Sequence, residues 1–188
     1  MNTELDKKHH VFPWWLGFTL DNPIRRMMHP ATKILSPYVS SGMTTMDFGC
    51  GFGHYSMGMA ELVGPTGKVF SVDIQKQMLK KVIKRSVKKQ FDNIITTHLS
   101  GQDSIGLKVQ VDFILMSNSL HETPDPESTL KEMFTLLKPA GKLLLLEPNG
   151  HGVDFADEIR MAVNTGLKYL SSPKVSTQQT ALFQKEEE

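Results

Sequence analysis

The sequence predicts an α/β protein built on a doubly wound, largely parallel sheet. Two observations predict it. From about residue 44, five near-continuous apolar runs alternate with helical patterns, and two short strand patterns close the chain. Parallel strands covered on both faces read as unbroken apolar runs, and βαβ crossovers between them are right-handed.

The five runs are TTMDF at 44 to 48, KVFSVD at 68 to 73, NIITTHL at 93 to 99, VDFILM at 111 to 116 and GKLLLLE at 141 to 147. After the first, Tyr55, Met59, Leu62 and Val63 recur at helical spacing, with Gly64-Pro65 as the stop. The next helix sets Met78, Leu79, Val82, Ile83 and Val87 on one face. A third begins at Asp125-Pro126, an N-cap followed by a first-turn proline, and carries Leu130, Met133, Phe134 and Leu137. Phe155, Ile159, Ala162 and Val163 give a helix ending at Gly166, followed by LKYL at 167 to 170 and a strand at about 178 to 184. Ser171-Ser172-Pro173 is too short for a crossover helix, so these two strands pair as an antiparallel hairpin at one edge. The final KEEE reads as a solvated tail. Before the first strand, proline-started helical stretches at Pro23 and Pro30 follow an aromatic cluster of Phe12, Trp14, Trp15 and Phe18. They predict a helical cap over residues 1–43, ahead of a main domain over 44–188.

With 188 residues the chain has room for one sizeable core. Its 39% apolar and 22% charged residues place it with ordinary soluble domains, not disordered, collagenous or membrane chains. Lys plus Arg number 21 against 20 Asp plus Glu, a net charge of +1, so no global field favours nucleic acid or anionic lipid. The stretch from 76 to 89 holds seven basic residues and no acid, but its apolar opposite face makes a solvated helix the better reading than an RNA site. The single cysteine, Cys50, cannot form an internal disulfide or a thiolate zinc site, which fits a reducing compartment. The opening MNTELDKKHH lacks a signal-like apolar region, and VFPWWLGF at 11 to 18 is too short to span a membrane. The expectation is a cytoplasmic protein without a membrane span; its oligomeric state is not legible.

The chemistry starts at MDFGCGFG, residues 46 to 53, between a strand and a helix. There, glycines without Cβ let a ligand lie against main-chain NH groups at a helix N-terminus, where a carboxylate or phosphate would suit. A dinucleotide site would want a third glycine where His54 stands, which weakens a nicotinamide reading. Asp73 ends the second run, 26 residues after Asp47, where a carboxylate can grip both hydroxyls of a ribose. His121 follows the fourth run, at the strand ends where open sheets bind ligands, and two roles are open to it: general base, or structural partner of its loop. His54, Tyr55 and His151 are weaker candidates. No H-x-x-x-H or H-x-x-E-H spacing occurs, so no metal is expected.

The pattern D-x-G-x-G-x-G at 47 to 53 resembles the first motif of the class I S-adenosylmethionine-dependent methyltransferases. The resemblance extends through Asp73, VDFILMSNSLHE and LLKPAGKLLLLEP, covers about residues 44 to 185, and is nearest to the quinone-biosynthesis type. It implies a Rossmann-like seven-stranded mixed sheet of order 3-2-1-4-5-7-6 with the last strand antiparallel, and a crevice between strands one and four. It implies Asp47, Gly49, Cys50 and Gly51 as contacts of S-adenosylmethionine, with Ile74 stacked on adenine. Gln102 or Asp103 would read the adenine amino group, and Ser117 and Asn118 would line the facing wall. It implies methyl transfer to a small-molecule acceptor, phenolic, enolic or quinone-like. Ser117-Asn118-Ser119-Leu120 departs from the N/D-P-P-Y/F pattern of enzymes acting on planar amino nitrogens, and one cysteine excludes an acceptor held by several thiols. The N-terminal aromatics either roof the pocket or seal the cap. Two other classes fit parts of the sequence: a cofactor-binding accessory module without catalysis, and a nucleotide-dependent oxidoreductase, which His54 disfavours.

Overall fold

The computed structural model describes residues 30–99, 105–150, 154–175 and 178–187. A short helix, α1 (Ala31–Leu35), leads into β1 (Thr44–Phe48). There follow α2 (His54–Val63), β2 (Lys68–Asp73), α3 (Lys76–Lys89), β3 (Ile94–His98), β4 (Val111–Ser117), a 3-10 turn (Leu120–Glu122) and α4 (Pro126–Leu136). The chain ends with β5 (Leu137–Glu147), α5 (Phe155–Asn164), β6 (Leu167–Ser171) and β7 (Gln179–Lys185). The seven strands form one sheet in the order β3-β2-β1-β4-β5-β7-β6. Strands β1 to β5 pair in parallel, while β7 runs antiparallel to both β5 and β6.

The predicted hairpin is therefore present, with β6 at the sheet edge and β7 inserted beside β5. Asp125 caps α4 by accepting a hydrogen bond from the Ser128 N–H at 3.0 Å, as its position before Pro126 predicts. At the amino ends of the strands, Asp112 accepts from Thr44 N at 2.8 Å and from Lys138 Nζ at 2.8 Å and 2.9 Å, tying β1, β4 and β5 in register.

The sheet is covered on both faces, which explains its continuous apolar strands. One cluster joins Met46, Ile114, Met116, Leu143 and Leu145 to Leu130 and Met133 of α4. The other joins Val69, Phe113, Leu115, Leu144 and Leu146 to Tyr55 and Met59 of α2 and to Ala31 and Leu35 of α1. The Pro30 stretch thus packs against the body as one turn of helix, while the Pro23 stretch and the aromatics at 12, 14, 15 and 18 lie outside the described residues.

Three expectations are corrected. Ile83 and Val87 are not on the buried face of α3: Met78, Leu79, Val82 and Ser86 form that stripe, and Val87 is 72% exposed. A helix advances about 100° per residue, so a stripe centred between 79 and 82 leaves 83 and 87 on its flank. Val163 is likewise exposed on α5. Strand β5 starts at Leu137, four residues before the expected Gly141, because Leu137 already pairs with Val111 ahead of an irregularity in the ladder.

Candidate cofactor and acceptor site

The site lies at the carboxyl ends of β1, β2, β4 and β5, where the order of strand addition reverses and an open sheet leaves a crevice. The glycine loop between β1 and α2 is hung from the end of β2. Gly49 N and Cys50 N both donate to Val72 O, at 2.9 and 3.0 Å, and Gly51 N donates to Asp73 Oδ2 at 2.9 Å. Gly53 N donates to Cys50 O at 2.8 Å. Arg85, reaching from α3, donates to Phe52 O at 2.6 Å. The loop NH groups expected to face a ligand are thus committed within the protein, which removes most of the anion-binding character of this helix start.

Two glycines are required by contact as well as by dihedral. Gly49 has φ +70, and a Cβ there would fall 2.5 Å from Ser119 Cβ, across the gap between β1 and β4. Gly53 has φ +75, and a Cβ would fall 2.9 Å from Val82 Cγ2 of α3. Helix packing therefore needs its glycine at 53, and His54 opens α2 edge-on to Tyr55 at 4.9 Å between ring centroids. At Gly51, by contrast, a Cβ would meet nothing within 4 Å, so the loop opens onto space there.

Asp47 and Asp73 bracket the loop from below and from the side. The Asp47 carboxylate, 2% exposed, accepts from Ser56 Oγ at 2.5 Å, and Ser56 Oγ accepts from Ser71 Oγ at 2.8 Å. Burial pushes the Asp47 carboxyl up to about 6 against the pull of its Ser56 bonds. The Asp73 carboxyl is also held above the ordinary range by burial, offset by its bonds from Gln75 N and Gly51 N. Asp73 Oδ1 accepts from Gln75 N and Oδ2 from Gly51 N, with the Ile74 N–H also at the carboxylate; of its roughly four lone-pair sites, capacity remains for a ligand hydroxyl. Ile74, next to it, is 42% exposed.

Cys50 is buried, and its thiol is pushed well above its usual value by burial and by the charges of Asp47 and Asp73. In thiol titration near pH 8 the native protein is expected to react at least roughly 10-fold more slowly than the unfolded chain, because little thiolate forms. A fast native reaction would contradict the inert role.

The opposite wall comes from β4 and the turn after it. Asn118 takes φ 53, donates its N–H to Leu146 O at 2.8 Å, and accepts from Gln178 Nε2 at 2.7 Å. Ser119 Oγ donates to Phe48 O at 3.1 Å, stitching the tips of β4 and β1. In the 3-10 turn, Leu120 N donates to Glu147 Oε1 at 3.0 Å, and His121 Nδ1 lies 2.5 Å from Glu147 Oε2. Glu147, the last residue of β5, is 0% exposed.

The structure brings Asp47, Gly49, Cys50, Gly51, Asp73, Ile74, Ser117, Asn118 and His121 to one end of the sheet. Gln102, Asp103 and His151 lie outside the described residues. Ser56, Arg85, Glu147 and Gln178 are parts of the site that sequence reading missed. A lone acid closing the run Leu143 to Leu146 was the available signal for Glu147; nothing in the sequence separates Arg85 from its lysine neighbours. Among the described residues no group of three His, Cys, Asp or Glu side chains is placed to hold a metal ion, and no helix is long and apolar enough to cross a membrane.

This sheet order, with its antiparallel seventh strand and a glycine loop answered by an acid at the end of β2, defines a class I methyltransferase fold, whose cofactor is S-adenosylmethionine. A family model described as a methyltransferase domain matches residues 39–186, and the chain belongs to that family. A demethylmenaquinone methyltransferase of Oceanobacillus iheyensis is 30% identical over 109 residues, covering 58% of this chain and 46% of the relative. One from Lactococcus lactis is 31% identical over 110 residues, covering 57% and 42%. The chain thus covers less than half the length of these relatives. Among solved structures, a SAM-dependent methyltransferase from Aquifex aeolicus shares the fold at a TM-score of 0.83 and 22% identity, over 93% of this chain and 100% of that one.

Proposed function

We propose that this chain binds S-adenosylmethionine in the crevice between β1 and β4 and transfers its methyl group to a small-molecule acceptor. The observation that carries the reading is the electrostatics of the loop. The N–H groups of Gly49, Cys50, Gly51 and Gly53 are bonded within the protein, two carboxylates lie beside the loop, and it opens onto space at Gly51. Such a cradle disfavours a pyrophosphate and suits a cofactor with no phosphate and a positively charged sulfur.

S-adenosylmethionine supplies an activated methyl group and leaves as a neutral thioether. The chain's own part is binding, orientation and proton handling. Asp73 accepts from the ribose hydroxyls, Ile74 offers an apolar edge to the adenine, and Gln102 or Asp103 reads its amino group. Gly49, Cys50 and Gly51 shape the methionine end, and Asp47 fixes the loop from beneath through Ser56. Ser117 and Asn118 line the cofactor crevice opposite the glycine loop, and His121 faces the acceptor. Holding two reactants in line can contribute roughly 7 to 11 kcal/mol without strong acid-base help. The reducing cytoplasm is the compartment that fits a lone buried thiol.

Isothermal titration with S-adenosylmethionine, S-adenosylhomocysteine and NAD tests the cofactor. The expected result is micromolar binding of the first two and none of NAD. Binding of NAD alone would overturn the reading.

A further inference from the structure

The end of β5 holds a group that the cofactor reading does not use. Glu147 follows four leucines, lies fully buried, and has both carboxylate oxygens engaged: Oε1 by the Leu120 N–H and Oε2 by His121 Nδ1. A carboxylate taken from water at the end of an apolar strand is costly unless it is paired, and here the pairing joins β5 to the turn that follows β4. The His121 side chain keeps 20% of its surface exposed, in the turn at the carboxyl end of β4. With Nδ1–H directed at Glu147, Nε2 is the ring nitrogen that carries the lone pair in the neutral ring.

Resting on the methyl-transfer reading, we propose that Glu147 is the positioning residue of a Glu147–His121 dyad that takes the proton of an acceptor whose nucleophile is an acidic hydroxyl, phenolic or enolic. The hydroxyl proton passes to His121 Nε2. The freed electron pair, on oxygen or on the conjugated carbon, forms the bond to the methyl carbon as the carbon–sulfur bond breaks and leaves its pair on sulfur. The imidazolium, held against Glu147, then releases its proton to water. Among the described residues the ionisable groups facing His121 are acids: Glu147 from β5, Glu122 from its own turn and Glu158 from α5. The hydrogen bond to Glu147 is the largest influence and raises the His121 pKa above the ordinary 6.5, with burial opposing. A base strengthened in this way is matched to hydroxyls that ionise a few units higher, and is superfluous for an unprotonated amine.

Two arms test the dyad. The first needs no cofactor: histidine ring NMR against pH on the full chain, with His121→Gln to assign the resonance. The wild type should show the Nδ1–H tautomer and a midpoint above 6.5, and Glu147→Gln should lower that midpoint and abolish the tautomer preference. Glu147→Asp, shortened by one methylene, serves if Glu147→Gln does not fold. An unchanged midpoint and tautomer would overturn the positioning role. The second arm offers S-adenosylmethionine with a hydroxynaphthalene, an aromatic amine and an aromatic thiol. Methylation of the hydroxynaphthalene should fall on the order of 100-fold in His121→Gln, while calorimetric affinity for S-adenosylmethionine stays unchanged. The acid limb of kcat/KM should move to lower pH in Glu147→Gln. Equal turnover in His121→Gln, or preference for the amine or thiol, overturns the acceptor class. Failure of the wild type to bind S-adenosylmethionine would sink the methyltransferase reading, and the NMR arm would still decide the dyad.

Discussion

Asp73→Ala is expected to weaken S-adenosylmethionine binding by roughly 100-fold to 10,000-fold, measured by calorimetry. Two effects add. A ribose gripped by a carboxylate makes two charge-assisted hydrogen bonds, each contributing about 1.5–3 kcal/mol, and every 1.4 kcal/mol is tenfold in affinity. The same carboxylate holds Gly51 N at 2.9 Å and Gln75 N at 2.8 Å, so its removal also releases the loop from the end of β2. Asp73→Asn separates the two: one amide oxygen can still accept, but the amide NH2 faces a backbone N–H that needs an acceptor, and an intermediate loss is expected. The charge-assisted strength of the ribose bonds requires the ionised carboxylate, and burial raises the Asp73 pKa. Affinity should therefore be full at neutral pH and decline as the solution is acidified through that raised pKa. An Asp73→Ala protein that bound the cofactor like wild type would remove Asp73 from the site.

The strands were legible almost residue by residue because a strand covered on both faces has no polar alternation to blur its ends. The runs at 44 to 48 and 68 to 73 coincide with β1 and β2. Strand order was not legible in the same way, since nothing local to Leu144 states that it pairs with Leu115 on one side and Leu182 on the other. The order 3-2-1-4-5-7-6 came from resemblance, and the pairings agree with it. Within the site, the glycine loop showed itself through residue type and position. What its NH groups bind did not, because Val72 O and Asp73 Oδ2 reach it only once β2 lies beside β1. Arg85 and the lysines around it are equivalent as composition. Helix phase separates them, turning Arg85 onto Phe52 O and leaving Ile83 and Val87 outside. Glu147 marked itself only as an acid closing a run of leucines, and its partner stands 26 residues earlier, in the turn that follows β4.

Asp47→Asn is expected to change the pH dependence of stability more than stability itself. The Asp47 carboxyl rises from 3.8 in the unfolded chain to about 6 in the folded protein, because burial and the nearby Asp73 charge outweigh the Ser56 bonds. Between those values the folded state binds more proton than the unfolded state. The contribution is thus fully present below 3.8 and lost as pH rises through about 6, a loss of about 3 kcal/mol at 1.36 kcal/mol per unit. An asparagine can still accept from Ser56 Oγ but does not titrate, so the variant should gain on wild type by that amount between about pH 4 and pH 7 in urea unfolding. Asp73 acts in the same direction in the acid range, and the His121 contribution is full below 6.5 and falls as pH rises through its raised value. Both groups remain in the variant, so the wild-type-minus-variant difference reports Asp47 together with its coupling to Asp73; a difference flat with pH would contradict the assignment. The same substitution should weaken S-adenosylmethionine binding, since it removes one of the two negative charges beside the loop. A buried charge that lowers stability at neutral pH and favours a cationic ligand is the kind of local conflict that a binding site retains and a purely structural turn would not.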